Sequence, residues 1–166
     1  MTIPTTGLLG IDRIKVELAM DGLNPPANDL NNYWLRRLAN KPSGPISFAD
    51  FRGRGCRFDG HLNVSDPYET GGGDIQADFS FPFFNTSCLH LRIAHQLAVN
   101  RWGAAVYLQS NIDFNVKIWV WNSTTNLAYT FVRNPQEMGT YRAENVNPSF
   151  MRLGNGDWFV IAPDLR

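Results

Sequence analysis

The sequence has no apolar run long enough to cross a membrane and no excess of charge of either sign. Nowhere do about 18 consecutive apolar residues occur, and no basic segment leads into an apolar one at the N-terminus. This pattern predicts a protein that is made in the cytoplasm and does not insert into a membrane. Fifteen basic residues balance fifteen acidic residues. No long-range electrostatic field therefore draws the chain to nucleic acid, so nucleic acid is not expected as a partner.

Cysteine is scarce, because Cys56 and Cys88 are the only two in the chain. Neither has a histidine or a second cysteine at the spacing of a zinc or redox motif. The sequence is compatible with a disulfide between them and with two packed thiols, and packed thiols are the favoured interpretation. We expect no metal and no cofactor.

Familiar catalytic motifs are missing as well, since the chain contains no GxSxG, HExxH, P-loop or GxGxxG sequence. His90 and His95 lie five residues apart in a strand-like pattern, which places them on opposite faces and makes them poor joint ligands. Asp74 and Asp78 are two carboxylates, and a third interpretation assigns them to hydrolysis of a glycosidic bond. The expectation is a protein that is not an enzyme and has no catalytic residues.

What the sequence does contain is the composition of a globular protein. Hydrophobic residues make up 43% of the 166 residues, charged residues 18% and aromatic residues 13%. A chain of this length has room for one good core with an appendage, but hardly for two full domains.

Residues 1–55 are predicted to form a helical docking arm. Apolar residues recur there at helical spacing, Asp29 stands as a plausible N-cap of the second helix, and Ser47 with Asp50 forms a capping-box pattern ahead of a third. Such short helices bury little surface alone, so their apolar residues are expected to contact a partner. The expected contacts are Ile11, Ile14, Leu30, Trp34, Leu38, Ile46, Phe48 and Phe51.

Residues 56–166 are predicted to form an antiparallel β-sandwich or jelly-roll-like domain, so the fold class is mainly β. Period-two alternation and β-branched or aromatic residues dominate this part, and glycine- and asparagine-rich turns separate the runs. The predicted strands lie near 57–64, 75–81, 88–97, 104–109, 113–121, 127–133, 139–144, 149–153 and 158–162.

The arm also contains an imperfect internal repeat, in which residues 6–15 align with residues 43–52. Both copies have a hydroxyl residue and a glycine, then apolar positions three apart and a basic residue. A unit this small cannot bury its own apolar face, so the two copies must pack together, on the β domain or on another subunit.

These elements resemble those of small tail and tail-tip proteins of bacteriophages and of the terminal extensions of phage tail hub and fibre proteins. That family has a hydroxyl-Gly-x-Ile-Ser-Leu-x-Asp-Ile-Arg-like element, a short helix ending in Pro-Ser-Gly, and an Ile-Ser-apolar-x-Asp-apolar-x-Gly element. The matching stretches are 7–18, 29–44 and 46–53. Gly10 departs from the pattern where a hydroxyl residue is usual, and Arg13 departs where an acid is usual.

The resemblance implies a non-enzymatic virion protein, made in the host cytoplasm and built into the tail tip or baseplate. Its partners are then other tail proteins, present in multiple copies, to which the arm docks. The alternative is a binding module of a tail fibre, in which the β domain recognises host-surface glycan through residues that the sequence does not identify. Exposed aromatic residues clustered in a concave patch on the β domain would favour this alternative.

Overall fold

The computed structural model of the protein describes residues 3–18, 28–65, 74–84, 91–96, 106–110, 115–154 and 156–165. Short helical elements come first along the chain, followed by eight strands within the described ranges. The predicted change near residue 55 therefore coincides with the change from helical to strand elements.

Three short helical elements lie in the first third of the chain. Helix α1 spans Ile11–Leu18, helix α2 spans Tyr33–Ala39, and a single 3₁₀ turn spans Phe48–Phe51. Each buries one apolar face, as the spacing of the apolar residues predicts. Among the helices of the described residues, none has the length and apolar character needed to cross a bilayer.

The N-cap of α2 differs from the sequence prediction. Asn32, not Asp29, caps this helix, because its side-chain oxygen accepts a hydrogen bond from the Trp34 N–H at 2.9 Å. The Asp29 carboxylate instead accepts from the Asn31 N–H, which closes an Asx turn just before the helix. The capping box of the 3₁₀ turn is present.

The structure confirms an antiparallel, mainly β second part. Eight of the nine predicted strands are present within a few residues, but the one predicted near 149–153 is wrong. A 3₁₀ turn, Pro148–Phe150, stands there, because Asn147 accepts from the Ser149 N–H and Pro148 has the fixed φ of a first helical residue. The strands are β1 Phe58–Asn63, β2 Asp74–Phe79, β3 Leu91–Gln96, β4 Val106–Ser110, β5 Ile118–Asn122, β6 Leu127–Arg133, β7 Thr140–Ala143 and β8 Gly156–Pro163.

These strands form one antiparallel sheet with the order β1-β8-β5-β6-β7-β4-β3-β2. Consecutive strands pair as hairpins in β2-β3-β4 and β5-β6-β7, while β8 inserts between β1 and β5. The division of this sheet into the two packed layers of a sandwich or jelly roll stays a prediction.

The arm and the sheet share one hydrophobic core. Ile14, Leu38 and Phe51 are each 0% exposed and belong to the same buried cluster as Phe131 of β6 and Phe159 of β8. These three arm residues were expected to contact a partner, and that expectation is corrected here. Side chains that are enclosed by their own chain offer a partner no surface.

The shared core predicts very different effects for two aromatic residues of the same 3₁₀ turn. We expect Phe51→Ala to lower the free energy of unfolding by about 3–5 kcal/mol, as truncation of a buried Phe usually does. Phe48→Ala, at a side chain that is 41% exposed, serves as the matched control and should change it by about 0.5 kcal/mol or less. Urea unfolding measures the free energy of unfolding of both variants. Equal values for the two variants would show that Phe51 is not part of the core.

Candidate interaction surfaces

The internal repeat predicted from the sequence is also a repeat in three dimensions. Gly7 and Gly44, which align in the two copies, both have left-handed backbones, with φ of +86° and +77°. In each copy a helical element begins four residues after this glycine, at Ile11 and at Phe48. The residue three positions further on is fully buried in both copies.

One arginine joins the two copies, and backbone hydrogen bonds join the segments that flank them. The Arg52 guanidinium of the second copy donates to the Gly7 carbonyl of the first at 2.8 Å. Ile3 exchanges two backbone hydrogen bonds with the segment that follows the second copy, donating to the Arg54 carbonyl at 2.9 Å and accepting from the Gly53 N–H at 3.0 Å. Of the packing modes that the sequence left open, the described residues show the first two, since the copies pack on each other and on the sheet.

The other five expected contact residues lie nearer the surface. Ile11, Leu30, Trp34 and Ile46 are half-buried against the core, and Phe48 is 41% exposed. Leu8, Val16 and Tyr33 are further large apolar residues exposed on the arm, and Leu8 is fully exposed. The surface available to a partner therefore comprises these residues and not the buried Ile14, Leu38 and Phe51.

A groove of about 410 Å³ opens beside α2, and we call it the α2 groove. No acidic residue lines it among the described residues. Three basic residues, two aromatic residues, one asparagine and one proline do: Arg36, Arg37, Lys41, Tyr33, Phe84, Asn40 and Pro42. The sequence did not single out its charges, although residues 28–57 contain six of the fifteen basic residues and two of the fifteen acidic residues.

Phe84 forms the apolar wall of the α2 groove in a strained backbone conformation. Its φ is +47°, which a bulky side chain adopts only at a cost of order 1–3 kcal/mol. The Phe84 N–H donates to the Gly55 carbonyl at 3.0 Å. The Arg37 guanidinium carbon lies 4.6 Å from the Phe84 ring centre and 5.8 Å from the Trp34 ring centre, so two aromatic rings hold this cation in place.

A second group of aromatic residues lies on the outer face of the sheet, opposite the main core. Trp119 and Trp121 of β5 stack with ring centres 6.0 Å apart and pack on Val160 and Ala162 of β8. Trp119 is buried, Trp121 is half-buried and Trp158 of β8 is 39% exposed. Trp119 is therefore a packed ring, whereas the Trp158 ring has an exposed face.

Polar neighbours fix the orientation of the Trp158 ring. Its indole N–H donates to the Asp59 carboxylate at 2.5 Å, and Asp59 also forms an ion pair with Arg57 at 3.1 Å. The His61 ring stands edge-on to the indole at 4.7 Å. Nδ1 of His61 lies 2.6 Å from the Gly156 carbonyl oxygen, and because a carbonyl only accepts, this nitrogen carries the proton. His61 is thus an exposed, hydrogen-bonded residue.

The turn beside Trp158 is held by a buried polar network. The Asn122 amide donates to the Asp157 carboxylate at 2.9 Å, and its oxygen accepts from the Thr124 N–H at 3.0 Å. Arg152 hydrogen-bonds to Asp157 and holds the pKa of that carboxyl below its usual range. The Thr124 hydroxyl oxygen accepts a hydrogen bond from the backbone N–H of Trp158 at 2.9 Å. The ring therefore projects from a rigid turn.

The two acidic residues considered for hydrolysis lie on one strand. Asp74 and Asp78 lie four residues apart on β2, so their Cα atoms are separated by about 13 Å. Glycosidase carboxyl groups are about 5–9.5 Å apart and face each other across a cleft. Within the described ranges, no group of three or more histidine, cysteine or acidic residues is placed to hold a metal ion.

A buried carboxyl group joins α1 to the start of β1. Glu17 is 2% exposed, and its carboxylate accepts from the Cys56 N–H at 3.2 Å. The Cys56 thiol donates to the Glu17 carbonyl at 2.8 Å, and burial raises the thiol pKa. Burial also raises the pKa of Glu17 to about 7, although backbone hydrogen bonds from Cys56 and Arg57 and the Arg57 charge oppose the shift. Cys56 is a free thiol, and Cys88 lies outside the described residues.

No family model, no curated protein and no solved structure matches this chain. What the protein does is therefore inferred from its own residues and their geometry.

Glu17 predicts a pH dependence of stability. The native state keeps the Glu17 proton up to a pKa of about 7, whereas the unfolded chain loses it near 4.5. The native state thus binds more protons in this interval, and the free energy of unfolding falls as pH rises from 4.5 to 7, by up to about 3 kcal/mol.

Glu17→Gln should remove this dependence, because the amide still accepts from Cys56 without an ionisable proton. Glu137→Gln, at an exposed turn position, should leave the profile unchanged. Urea unfolding at pH 5.0, 6.0 and 7.5 measures the difference, and an equal slope in wild type and Glu17→Gln would exclude Glu17 as its source.

Proposed function

We propose that the protein is a non-enzymatic structural component of a bacteriophage virion, at the tail tip or baseplate. It attaches to a neighbouring tail protein through the outer face of residues 1–55. Three sequence elements, in stretches 7–18, 29–44 and 46–53, resemble those of phage tail proteins and occur in the same order along the chain. This resemblance supports the virion role. The left-handed glycines and matched helix starts of the two copies agree with the repeat on which the resemblance depends.

The observation that carries the docking role is the apolar character of the arm surface. Of the eight large hydrophobic residues that are exposed in the described ranges, four lie on the arm: Leu8, Val16, Tyr33 and Phe48. Exposed apolar side chains on a scaffold that is already folded onto its own core are available to form a protein interface.

We also propose that the sheet folds back on itself into the two layers of a sandwich. Strands β1 and β2 stand at opposite ends of the strand order, yet they lie against each other. Phe58 of β1 and Phe79 of β2 have ring centres only 5.0 Å apart. Curvature that brings the two end strands together supports a closed, two-layer arrangement.

A second candidate function, recognition of host-surface glycan, is favoured by the setting of Trp158. An exposed indole held by Asp59 and edged by His61 offers a flat apolar surface beside groups that hydrogen-bond hydroxyls. Sugar rings commonly stack on such surfaces. This ligand would occupy the β part while the arm remains in contact with the tail.

The docking role predicts that exposed arm residues are needed for assembly. A Tyr33→Ala, Phe48→Ala double variant should fold normally but be incorporated into particles at least about tenfold less, since aromatic contacts often dominate an interface. The matched control is Val132→Ala, Met138→Ala, which truncates two exposed residues outside the arm. Immunoblots of purified particles measure incorporation. Full incorporation of the arm variant, or equal loss in the control, would exclude this surface as the docking site.

The glycan candidate predicts that Trp158→Ala abolishes binding to host-surface polysaccharide, whereas Trp158→Phe retains a weaker signal because an aromatic face remains. Binding is measured on immobilised polysaccharide, together with an assay for new reducing ends. Unchanged binding by Trp158→Ala would place any glycan elsewhere. Released oligosaccharide would contradict the proposed absence of enzymatic activity.

A further inference from the structure

The α2 groove is rich in hydrogen-bond donors and poor in acceptors. Arginine and lysine side chains donate and do not accept, and no carboxylate lines the groove among the described residues. A ligand that fills such a site must supply acceptor oxygens and negative charge. The overall charge balance of the chain does not account for this local excess.

The groove cations are held in place before any ligand binds. Arg36 donates to the Lys41 carbonyl at 2.9 Å, the Asn31 side-chain oxygen at 2.6 Å and the Gly44 carbonyl at 3.1 Å, all of which are neutral acceptors. Its charge is therefore not cancelled by these bonds. Arg37 is fixed over the Phe84 ring. Side chains that are already ordered lose little conformational entropy on binding.

Lys41 already shows how a carboxylate is bound at the rim. Its ammonium lies 3.3 Å from the Asp50 carboxylate, and the Lys41 side chain is 46% exposed. An exposed pair of this kind contributes little to stability. A ligand carboxylate would therefore recruit Lys41 at small cost.

The apolar part of the groove restricts the ligand further. Tyr33 is 65% exposed, Phe84 provides a second ring, and Pro42 completes an apolar surface beside the guanidinium groups. Planar guanidinium groups match the geometry of a carboxylate, and the rings match a neighbouring aliphatic or aromatic side chain. A polypeptide carries both features within a few residues.

We propose that the α2 groove binds an acidic segment of a neighbouring protein chain, in which carboxylate side chains stand next to aromatic or aliphatic ones. This inference rests on the proposed function and names the chemistry of the docking partner. The groove is continuous with the exposed arm residue Tyr33, so the same contact would include both.

The test uses full-length protein and a fluorescein-labelled peptide, Glu-Phe-Glu-Leu-Glu with blocked termini, in fluorescence anisotropy. The matched probe replaces each Glu by Gln. We expect the acidic peptide to bind at least about tenfold more tightly than the amide peptide, and its affinity to fall as salt screens the charges. Equal affinity of the two peptides would overturn the proposal.

Variants locate the binding. Lys41→Gln and Tyr33→Ala, both at exposed side chains, should each lower the affinity for the acidic peptide several-fold. The thermal unfolding of both variants should stay unchanged. The control is Arg133→Gln in a groove of about 420 Å³ that contains Arg142 and Glu144, which form an ion pair at 2.6 Å. Equal weakening by the control, or none by the two α2-groove variants, would also overturn the proposal.

Two competitor molecules test whether the groove binds a different kind of anion more tightly than the peptide. Glucuronate and inorganic phosphate should displace the peptide only at much higher concentrations, because neither fills the apolar wall. Stronger displacement by glucuronate would assign the groove to an acidic glycan instead. If the arm variant is lost from particles but the acidic peptide fails to bind, only this inference is wrong. If the acidic peptide binds but the wild-type protein is absent from purified particles, the virion role is wrong and the peptide-binding inference stands.

Discussion

Burial of the repeated arm element against the inner face of the sheet is the contact on which the rest of the structure depends. Ile14 and Phe51, equivalent residues of the two copies, enter the same core as Phe159 of β8. Because both copies are used to cover the sheet, their opposite faces are turned outward and remain available. The core contact thus determines which arm residues can reach a partner, and it sets the α2 groove beside Phe84, whose N–H is bonded to Gly55 at the junction of the two parts.

Local patterns predicted the elements of the fold well. The Ser47–Asp50 capping box, the period-two strands and the repeat between residues 6–15 and 43–52 depend on interactions between near neighbours, and the structure contains all three. The errors also have local causes. Asn32 directly precedes the first residue of α2, whereas Asp29 lies three residues earlier. Asn147-Pro148 begins a 3₁₀ turn directly before residues 149–153, which were predicted to form a strand. Helical spacing identified Phe51 as part of an apolar face but not what covers that face, because the partner surface lies far away in sequence.

The candidate surfaces were less predictable for the same reason. The α2 groove unites α2 with Phe84, more than forty residues away, and neither the strained φ of Phe84 nor the cation–π contacts of Arg37 have a sequence signature. The setting of Trp158 combines β8 with Asp59 and His61 of β1 through strand pairing. The composition contains one signal that was not singled out, the basic excess of residues 28–57. Three of these six basic residues, Arg36, Arg37 and Lys41, line the α2 groove.

The central claim is that the arm and the sheet form one cooperative core in the isolated chain. Native-state hydrogen exchange of the verified monomer tests it most directly, because the free energy of opening is read amide by amide. The account predicts that amides of α1 and α2 open with nearly the same free energy as those of β5 and β8, and that Phe51→Ala lowers all of them together. Rapid exchange throughout α1 and α2, with β5 and β8 still protected, would contradict it.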